Sequence, residues 1–434
     1  MENKYLIIKY RGKILSLLFH GNRLIRARAE KENGNILGNI YVAKVKSILK
    51  NIHAAFVEIE PGYPCFLSLE RVRKPLLMNR AYDGRVLAED EILVQVYKEA
   101  AKTKSPAVTC SLSLDGRYCA VSMDRPGVAY SSKLSEKARR RIGEALEKEG
   151  ILEEYEKKNG IVIRTNAKSL GEDISPLVDE IRQFSAELQE IMDMACHRTC
   201  YSVLHEAEPA YLTGIRDEYE GQYGEIVTDD PGIYEKIMAY REANPSFHMP
   251  EARLYQDKRL PLHKLYSVET RLQEALGKKV WLKSGGYLVI EPTEALTVID
   301  VNTGKLATGK DMEQTWLRIN MEAAEEIALQ LALRNISGII IVDFINMKPE
   351  EHNKKLMSHF GNLLKQDAVR TELMDITALG LVEITRMKTS KPLREQLMES
   401  VFLDESKTVP QTKGEKHEVD KNGEGKRRPL SEKL

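Results

Sequence analysis

Apolar residues along this chain change period several times, and the changes mark out its elements. Residues 5–8, 14–19 and 24–29 are strand-like, with Arg11-Gly12 and Gly21-Asn22 between the runs. Such runs broken by turn residues predict a small antiparallel unit. From Gly38 to about Ser113 the runs are again short: IYVAKVKSIL, AAFVEIE, CFLSL, ILVQVYKEA and AVTCSLS, with Pro61-Gly62 separating two of them. Five short strands carrying aromatics and lysines are what a small OB barrel needs. The pattern then mixes. Residues 134–149 are helical and dense in Arg and Lys, GIVIRTNA is strand-like, and 173–194 reads as one long amphipathic helix. A helical stretch returns over 212–276, clearest in VTDDPGIYEKIMAY and YSVETRLQEALGKK. Lys283-Ser284-Gly285-Gly286 lacks a phosphate-loop pattern and predicts a hairpin turn between WLK and YLVIE.

The richest pattern lies further on. TVIDVNTGK and GIIIVDFINM are β-branched and aliphatic runs that read as buried strands, ending at Asp300 and Asp343. Between them Asp311 and Gln314 form a capping-box pattern. Ile319, Ala323, Ile327 and Leu331 then recur at helical spacing, with Glu322, Glu325 and Glu326 on other faces. Strand, helix, strand predicts a crossover joining two parallel neighbours, so both carboxylates fall at one edge of one sheet. Asn302 shares the side of Asp300 at period two, and Asn346 follows Asp343 in a short turn. Like charges repel, and a divalent cation is the usual reason to gather them; Mg²⁺ takes one or two carboxylates plus phosphate oxygens and water. Taken singly, each Asp also reads as a helix cap or turn residue. HNKKLMSHFGNLLKQDAVR and LGLVEITRMK add a helix and a strand to the same α/β sheet.

These segments carry a resemblance. TVIDVNTGK followed by EAAEEIALQLALRNISGIIIVDFINM resembles the catalytic signature of the ribonuclease E/G family of bacterial endoribonucleases, and the similarity runs from about Gly38 to Arg386. It implies an α/β multidomain fold: a degenerate RNase H-like subdomain (1–34 and 212–276) with an inserted S1-type OB-fold barrel (35–113) and a 5′-sensor region (114–211), followed by a DNase I-like catalytic subdomain (277–403). It also implies that Asp300 and Asp343 hold a catalytic Mg²⁺ and that Asn302 supports Asp300 and the scissile phosphate. Asn346 stands where relatives carry Asp and takes no primary role. Phe56 and Phe66 match rings that stack on bases, and Lys104 matches a lysine on the RNA backbone; from the residues alone, both rings could equally fill the barrel core. Arg164 and Thr165 match the core of the 5′-monophosphate sensor, where an Arg fork and a hydroxyl suit a phosphate. At Ser132 and Ala378 the family pattern has arginines that this chain lacks, which points to a weaker or differently built sensor.

Composition narrows the class. At 434 residues and 42% hydrophobic, the chain can bury several cores. No apolar run reaches the roughly eighteen residues of a membrane span, and MENKYLIIKYRGK alternates unlike a signal peptide. Cys65, Cys110, Cys119, Cys196 and Cys200 make no disulfide framework and fit a reducing cytoplasm. Cys196 and Cys200 in CHRTC suit one helix face and predict a structural cysteine pair more than a zinc site. Lys+Arg and Asp+Glu balance at 65 each, so any surface for RNA must be local.

The C-terminal stretch departs from the family. Relatives place a Cys-Pro-x-Cys zinc link there to join protomers, but no cysteine follows Cys200 and only His417 lies beyond His359. Any homodimer is therefore expected not to depend on zinc, with Leu393, Leu397, Val401 and Phe402 as its candidate apolar face. Residues 404–434 hold 15 charged and four aliphatic residues, the composition of a disordered tail. The whole reads as an Mg²⁺-dependent, cytoplasmic endoribonuclease cutting single-stranded RNA in mRNA decay and in rRNA and tRNA precursor processing. Water activated by the metal attacks and leaves 5′-phosphate ends, and no membrane insertion is expected. Two alternatives stay open: a non-cleaving RNA-binding regulator or ribosome-assembly factor, and a metal phosphodiesterase acting on DNA.

Overall fold

Hairpin chemistry sets up the first sheet. In the computed structural model, Arg11 and Gly12 both take positive φ (51° and 76°), the geometry of a two-residue turn whose twist matches its flanking strands. Strands Asn3–Tyr10, Lys13–His20 and Arg23–Lys31 pair antiparallel around it. Glu225–Thr228 and Glu251–Leu254 then extend the sheet in parallel from its first strand, some two hundred residues later in the chain. The structure describes residues 3–398 except 33–34, 101–103, 124–125, 156–157, 218–223, 246, 248 and 305–311. Both faces of this sheet are covered: Leu6, Ile8, Leu15 and Leu17 pack on one side, Ile7, Leu18, Ile233 and Ile237 on the other. That is why its strands read as nearly continuous apolar runs.

Leu393 and Leu397 belong to this core. Both are fully buried against Leu6, Leu15 and Phe19, and Gln396 Oε1 between them accepts from Ala29 N at 2.9 Å. Their helical spacing was expected to supply a dimer face; it instead fastens the helix Leu393–Met398 to the N-terminal sheet of the same chain. Val401, Phe402, His417 and the rest of the charged tail lie outside the described residues.

A closed five-stranded barrel is inserted after the first three strands. Ile40–Leu49 pairs with both Ala54–Glu60 and Glu91–Lys98; Tyr63–Ser68 and Ala107–Thr109 complete the ring through a parallel pair. This closure and order are OB-like. Ala55, Val57, Cys65, Leu67, Val94 and Val108 fill its interior. A short strand, Val203–His205, pairs onto Ile40–Leu49 from outside.

The next sheet, Ser113–Asp115, Cys119–Ser122, Gly160–Ile163 and Gly127–Tyr130, lies beneath the long helix Ser175–Ala195. One buried side chain of that helix holds a turn of the sheet: Glu180 accepts from the backbone N–H groups of Arg117, Tyr118 and Cys119 at 2.6, 2.8 and 2.8 Å. Burial raises the Glu180 pKa, and the three donors oppose that rise. A Cβ on Gly116 would fall 2.3 Å from the Glu180 carboxyl carbon, so the turn requires glycine there. Glu180→Gln keeps the volume but turns an NH₂ towards these donors. It is expected to cost about 1–3 kcal/mol, read as a lower denaturant midpoint at unchanged slope. The helix ends at Ala195, so Cys196 and Cys200 do not share a helical face as expected; both are free thiols in the turn that follows.

The last sheet runs Lys279–Trp281, Tyr287–Pro292, Leu296–Asn302, Gly338–Asp343, Val382–Arg386, Thr371–Ile376. Helices Met312–Leu333 and Glu350–Lys365 cover one face. Ile319, Ala323, Ile327 and Leu331 are fully buried there, as helical period predicts. Glu326, on another face of this helix as expected, is also buried: it accepts from Gln330 Nε2 at 2.8 Å and pairs with Arg23 of the first sheet. The helix therefore presents two interfaces, one to its own sheet and one to the N-terminal sheet, and simple amphipathic reading resolves only the first. Among the described residues no helix is long and apolar enough to cross a membrane.

Candidate active site

The strands Leu296–Asn302 and Gly338–Asp343 are parallel neighbours, and Asp300 is the register partner of Asp343. Adjacent strands lie about 4.8 Å apart, so the two carboxylates leave the backbone side by side. Both point away from the covering helices. Ile299, Val301, Ile340 and Val342 alternate with them and are buried, whereas Asp300 is half-buried and Asp343 exposed. Asn302 lies on the same face, and its Nδ2 donates to Asp300 Oδ2 at 2.6 Å. That bond fixes one oxygen of Asp300 and leaves the other free to bind. Among the described residues Asp343 has no side-chain hydrogen bond or ion pair. Two acids thus stand side by side, a local concentration of negative charge that a cation would relieve.

Two residues of the crossover helix hold this edge, and the sequence reading passed over their roles. Asn320 is fully buried; its Nδ2 donates to Ile345 O at 2.8 Å and its Oδ1 accepts from Ile345 N at 3.0 Å. It pins the backbone just after Asp343. Its signal was a lone amide on an apolar stripe with Ala324, Ile327 and Leu331. Glu322 reaches the other side, accepting from the backbone N–H of Lys283 and Ser284, and so braces the hairpin turn before Tyr287. Asn346 is exposed in the turn past Asp343, and Asp311 lies outside the described residues.

The donor set tests which ion could sit here. It consists of oxygen donors only, and among the described residues no group of three or more His, Cys, Asp or Glu is gathered to hold a metal. Zinc and other borderline-soft ions favour fuller sets with nitrogen or sulfur. Mg²⁺ fits: it keeps several waters and is held by one or two carboxylates together with substrate phosphate.

A second group lies on the barrel. Phe56 and Phe66 are register partners on its outer face, with ring centroids 6.3 Å apart and planes at 77°. Ala55, Val57, Cys65 and Leu67, which flank them, face the interior. The rings are half-buried and stand outside the core, so the core-filling alternative does not hold. Lys104 is exposed two residues before Pro106, whose carbonyl accepts from Phe66 N at 2.8 Å.

Arg164 and Thr165 form a third group, where the strand Gly160–Ile163 gives way to a 3₁₀ turn. Arg164 pairs with Asp217 at 3.0 Å and donates to Gly116 O; Thr165 Oγ1 shares a 2.8 Å hydrogen bond with Ser131 Oγ. Burial would raise the Asp217 pKa, but Arg216 and Arg164 hold it below the usual range. Nearby, Lys133 Nζ donates to the carbonyls of Asp367 and Ala368. Asp367 in turn pairs with buried Arg386 at 2.7 Å. This brace ties the stretch around Lys133 to the sheet that carries the carboxylates, and desolvation lowers the Lys133 pKa. No hydrogen bond or ion pair among the described residues directly joins the three groups.

Comparison with known proteins finds relatives over most of the chain. A profile described as the ribonuclease E/G family matches residues 113–389. A ribonuclease G of Escherichia coli (strain K12) is 32% identical over 381 residues, covering 83% of this chain and 75% of that protein. A ribonuclease E of Synechocystis sp. is 33% identical over 369 residues, covering 83% of this chain and 53% of that protein. A ribonuclease E of Haemophilus influenzae is 30% identical over 366 residues, covering 82% of this chain and 38% of that protein. The chain thus spans about half the length, or less, of these two ribonuclease E relatives.

Proposed function

The chain belongs to the ribonuclease E/G family, and from that premise we propose that it is an Mg²⁺-dependent endoribonuclease of single-stranded RNA. The observation that carries this reading is the register pairing of Asp300 with Asp343, with Asn302 bonded to Asp300. The two carboxylates hold the ion. When bound, it supplies Lewis-acid polarisation of the phosphodiester and a water of lowered pKa. Asn302 orients Asp300, and its second amide N–H is available to a phosphate oxygen. Asn320 holds the backbone just after Asp343, and Glu322 braces the hairpin turn at Lys283 and Ser284. Phe56 and Phe66 grip two unpaired bases by stacking, which tolerates any base identity, and Lys104 meets the backbone. The products carry 5′-phosphate and 3′-hydroxyl ends.

In this reading the five-stranded first sheet is the RNase H-like subdomain, the barrel is S1-type, and the last sheet is the DNase I-like catalytic subdomain. A 5′-monophosphate competes with Asp217 for Arg164, next to the Thr165 hydroxyl; with Ser132 and Ala378 in place of arginines, stimulation by that phosphate is weak. The substrates are mRNA and the precursors of rRNA and tRNA, in the cytoplasm, and any homodimer assembles without a zinc link.

Matched RNA and DNA oligonucleotides of one unpaired sequence test the proposal. With Mg²⁺ the RNA is cut internally, the DNA is not, and a chelator stops the reaction until Mg²⁺ is restored. RNA bound but never cut would make the chain a non-cleaving RNA binder; equal cutting of DNA would make it a general phosphodiesterase.

A further inference from the structure

The open face of the catalytic sheet carries a second cluster that the cleavage scheme leaves unused. Register across its first four strands sets two rows. Lys279, Val289, Asp300 and Asp343 are successive partners in one, and Trp281, Tyr287 and Asn302 in the other. Directly opposed residues share a face of the sheet, so Trp281 and Tyr287 stand on the side of the carboxylates. Trp281 is 65% exposed, although it is one of only two tryptophans in the chain. Its ring meets Tyr287 edge-on, with centroids 5.3 Å apart and planes at 61°. Lys279 Nζ sits 4.0 Å from the Trp281 ring and 3.5 Å from that of Tyr287.

The bland reading is that Lys279 guards an edge strand against pairing with another chain. That accounts for a lysine at the edge but not for a large indole left in water beside it. Tyr287 is one strand from Asn302 and Trp281 two, so the rings begin about 5–10 Å from the residue that orients Asp300. A stacked single strand rises about 3.4 Å per nucleotide, so a strand held at the carboxylates passes these rings within about three nucleotides of the scissile phosphate. A flat π surface with an ammonium at its side matches a base followed by its phosphate.

We propose that Trp281 and Tyr287, with Lys279, form a base-stacking subsite on the catalytic sheet that positions the RNA close to the cleavage point, separately from the barrel. The proposal rests on the endoribonuclease reading. Trp281 supplies the stacking surface, Tyr287 supports it from below, and Lys279 pairs with the adjoining phosphate. Because the rings do not touch the reacting atoms, they act on binding and register, not on the chemical step.

The test uses the full chain and a single-stranded oligoribonucleotide with one cleavage site, in intact form and as a set with one abasic position moved along it. In wild type against Trp281→Ala, KM is expected to rise about 5- to 100-fold with kcat nearly unchanged, and Trp281→Phe is expected to recover most of the loss. One abasic position, within about three nucleotides of the cut, is expected to raise the wild-type KM to that of Trp281→Ala while leaving the variant unaffected. In the Asp343→Asn background, which keeps RNA uncut, tryptophan fluorescence is expected to be quenched by the oligonucleotide through Trp281, and Trp281→Phe to remove that quenching. Unchanged KM and unchanged quenching in the Trp281 variants would overturn the proposal. So would a Trp281→Ala chain that changes its oligomeric state in sedimentation while keeping its RNA affinity, since the ring would then serve a protein contact. Failure of the endoribonuclease reading itself would look different: wild type would leave every oligonucleotide uncut.

Discussion

Asp343→Asn, or Asp300→Asn, is expected to lower RNA cleavage by at least about 10³-fold, the loss of several kcal/mol of charge stabilisation at the phosphodiester. Each change deletes one of the two carboxylates proposed to hold the ion and leaves the side chain's shape. Folding should not suffer. Asp343 is exposed, and the two residues are register partners on adjacent strands about 4.8 Å apart, so removing one charge relieves repulsion. The melting temperature in metal-free buffer should stay level or rise slightly. RNA affinity should be retained, because no hydrogen bond or ion pair among the described residues joins the pair to Phe56, Phe66 or Lys104, the proposed grip on the strand. Cleavage rates, melting curves and binding isotherms on the same preparations check all three outcomes. Turnover near wild type in either variant at saturating Mg²⁺ would remove these residues from the site.

Phe56→Ala and Phe66→Ala are expected to weaken RNA binding by about 1–3 kcal/mol each, or roughly 5- to 100-fold. The double variant should lose less than the sum, since the rings meet edge-on with centroids 6.3 Å apart, so truncating one already removes support from the other. Stability should change far less than the roughly 3–5 kcal/mol of a buried Phe truncation. The reason lies in the strand alternation: Ala55, Val57, Cys65 and Leu67 face the barrel interior and the two rings face out. Affinity for an unpaired oligonucleotide and denaturant midpoints separate the two effects. A large loss of stability with unchanged affinity would assign the rings to packing instead.

Local period carried the sequence reading furthest. The apolar runs before Asp300 and Asp343, and the 3.6-residue stripe between them, were enough to place both carboxylates on parallel neighbours, because a crossover helix leaves few other arrangements. Alternation in AAFVEIE and CFLSL did not by itself tell which side of the barrel Phe56 and Phe66 take; strand pairing decided it. What escaped was non-local. Leu393 and Leu397 looked like a free apolar face, yet they complete a core begun at Leu6 and Leu15. Glu326 falls outside the apolar stripe of its helix, yet it is buried and pairs with Arg23, three hundred residues away. Asn320 and Glu322 bond to backbone groups of distant turns, and composition gives no sign of which turn a helix will meet. CHRTC misled for a local reason: spacing alone does not say where a helix stops, and this one stops at Ala195.

In the proposed reaction Asp300 and Asp343 jointly bind the ion that cleavage requires. Mn²⁺ can stand in for Mg²⁺ and be followed by electron paramagnetic resonance. Titration of the wild-type chain should show one site whose occupancy tracks the cleavage rate, competed by Mg²⁺, and that site should be lost in both Asp300→Asn and Asp343→Asn. Undiminished Mn²⁺ binding in both variants, with cleavage intact, would contradict it.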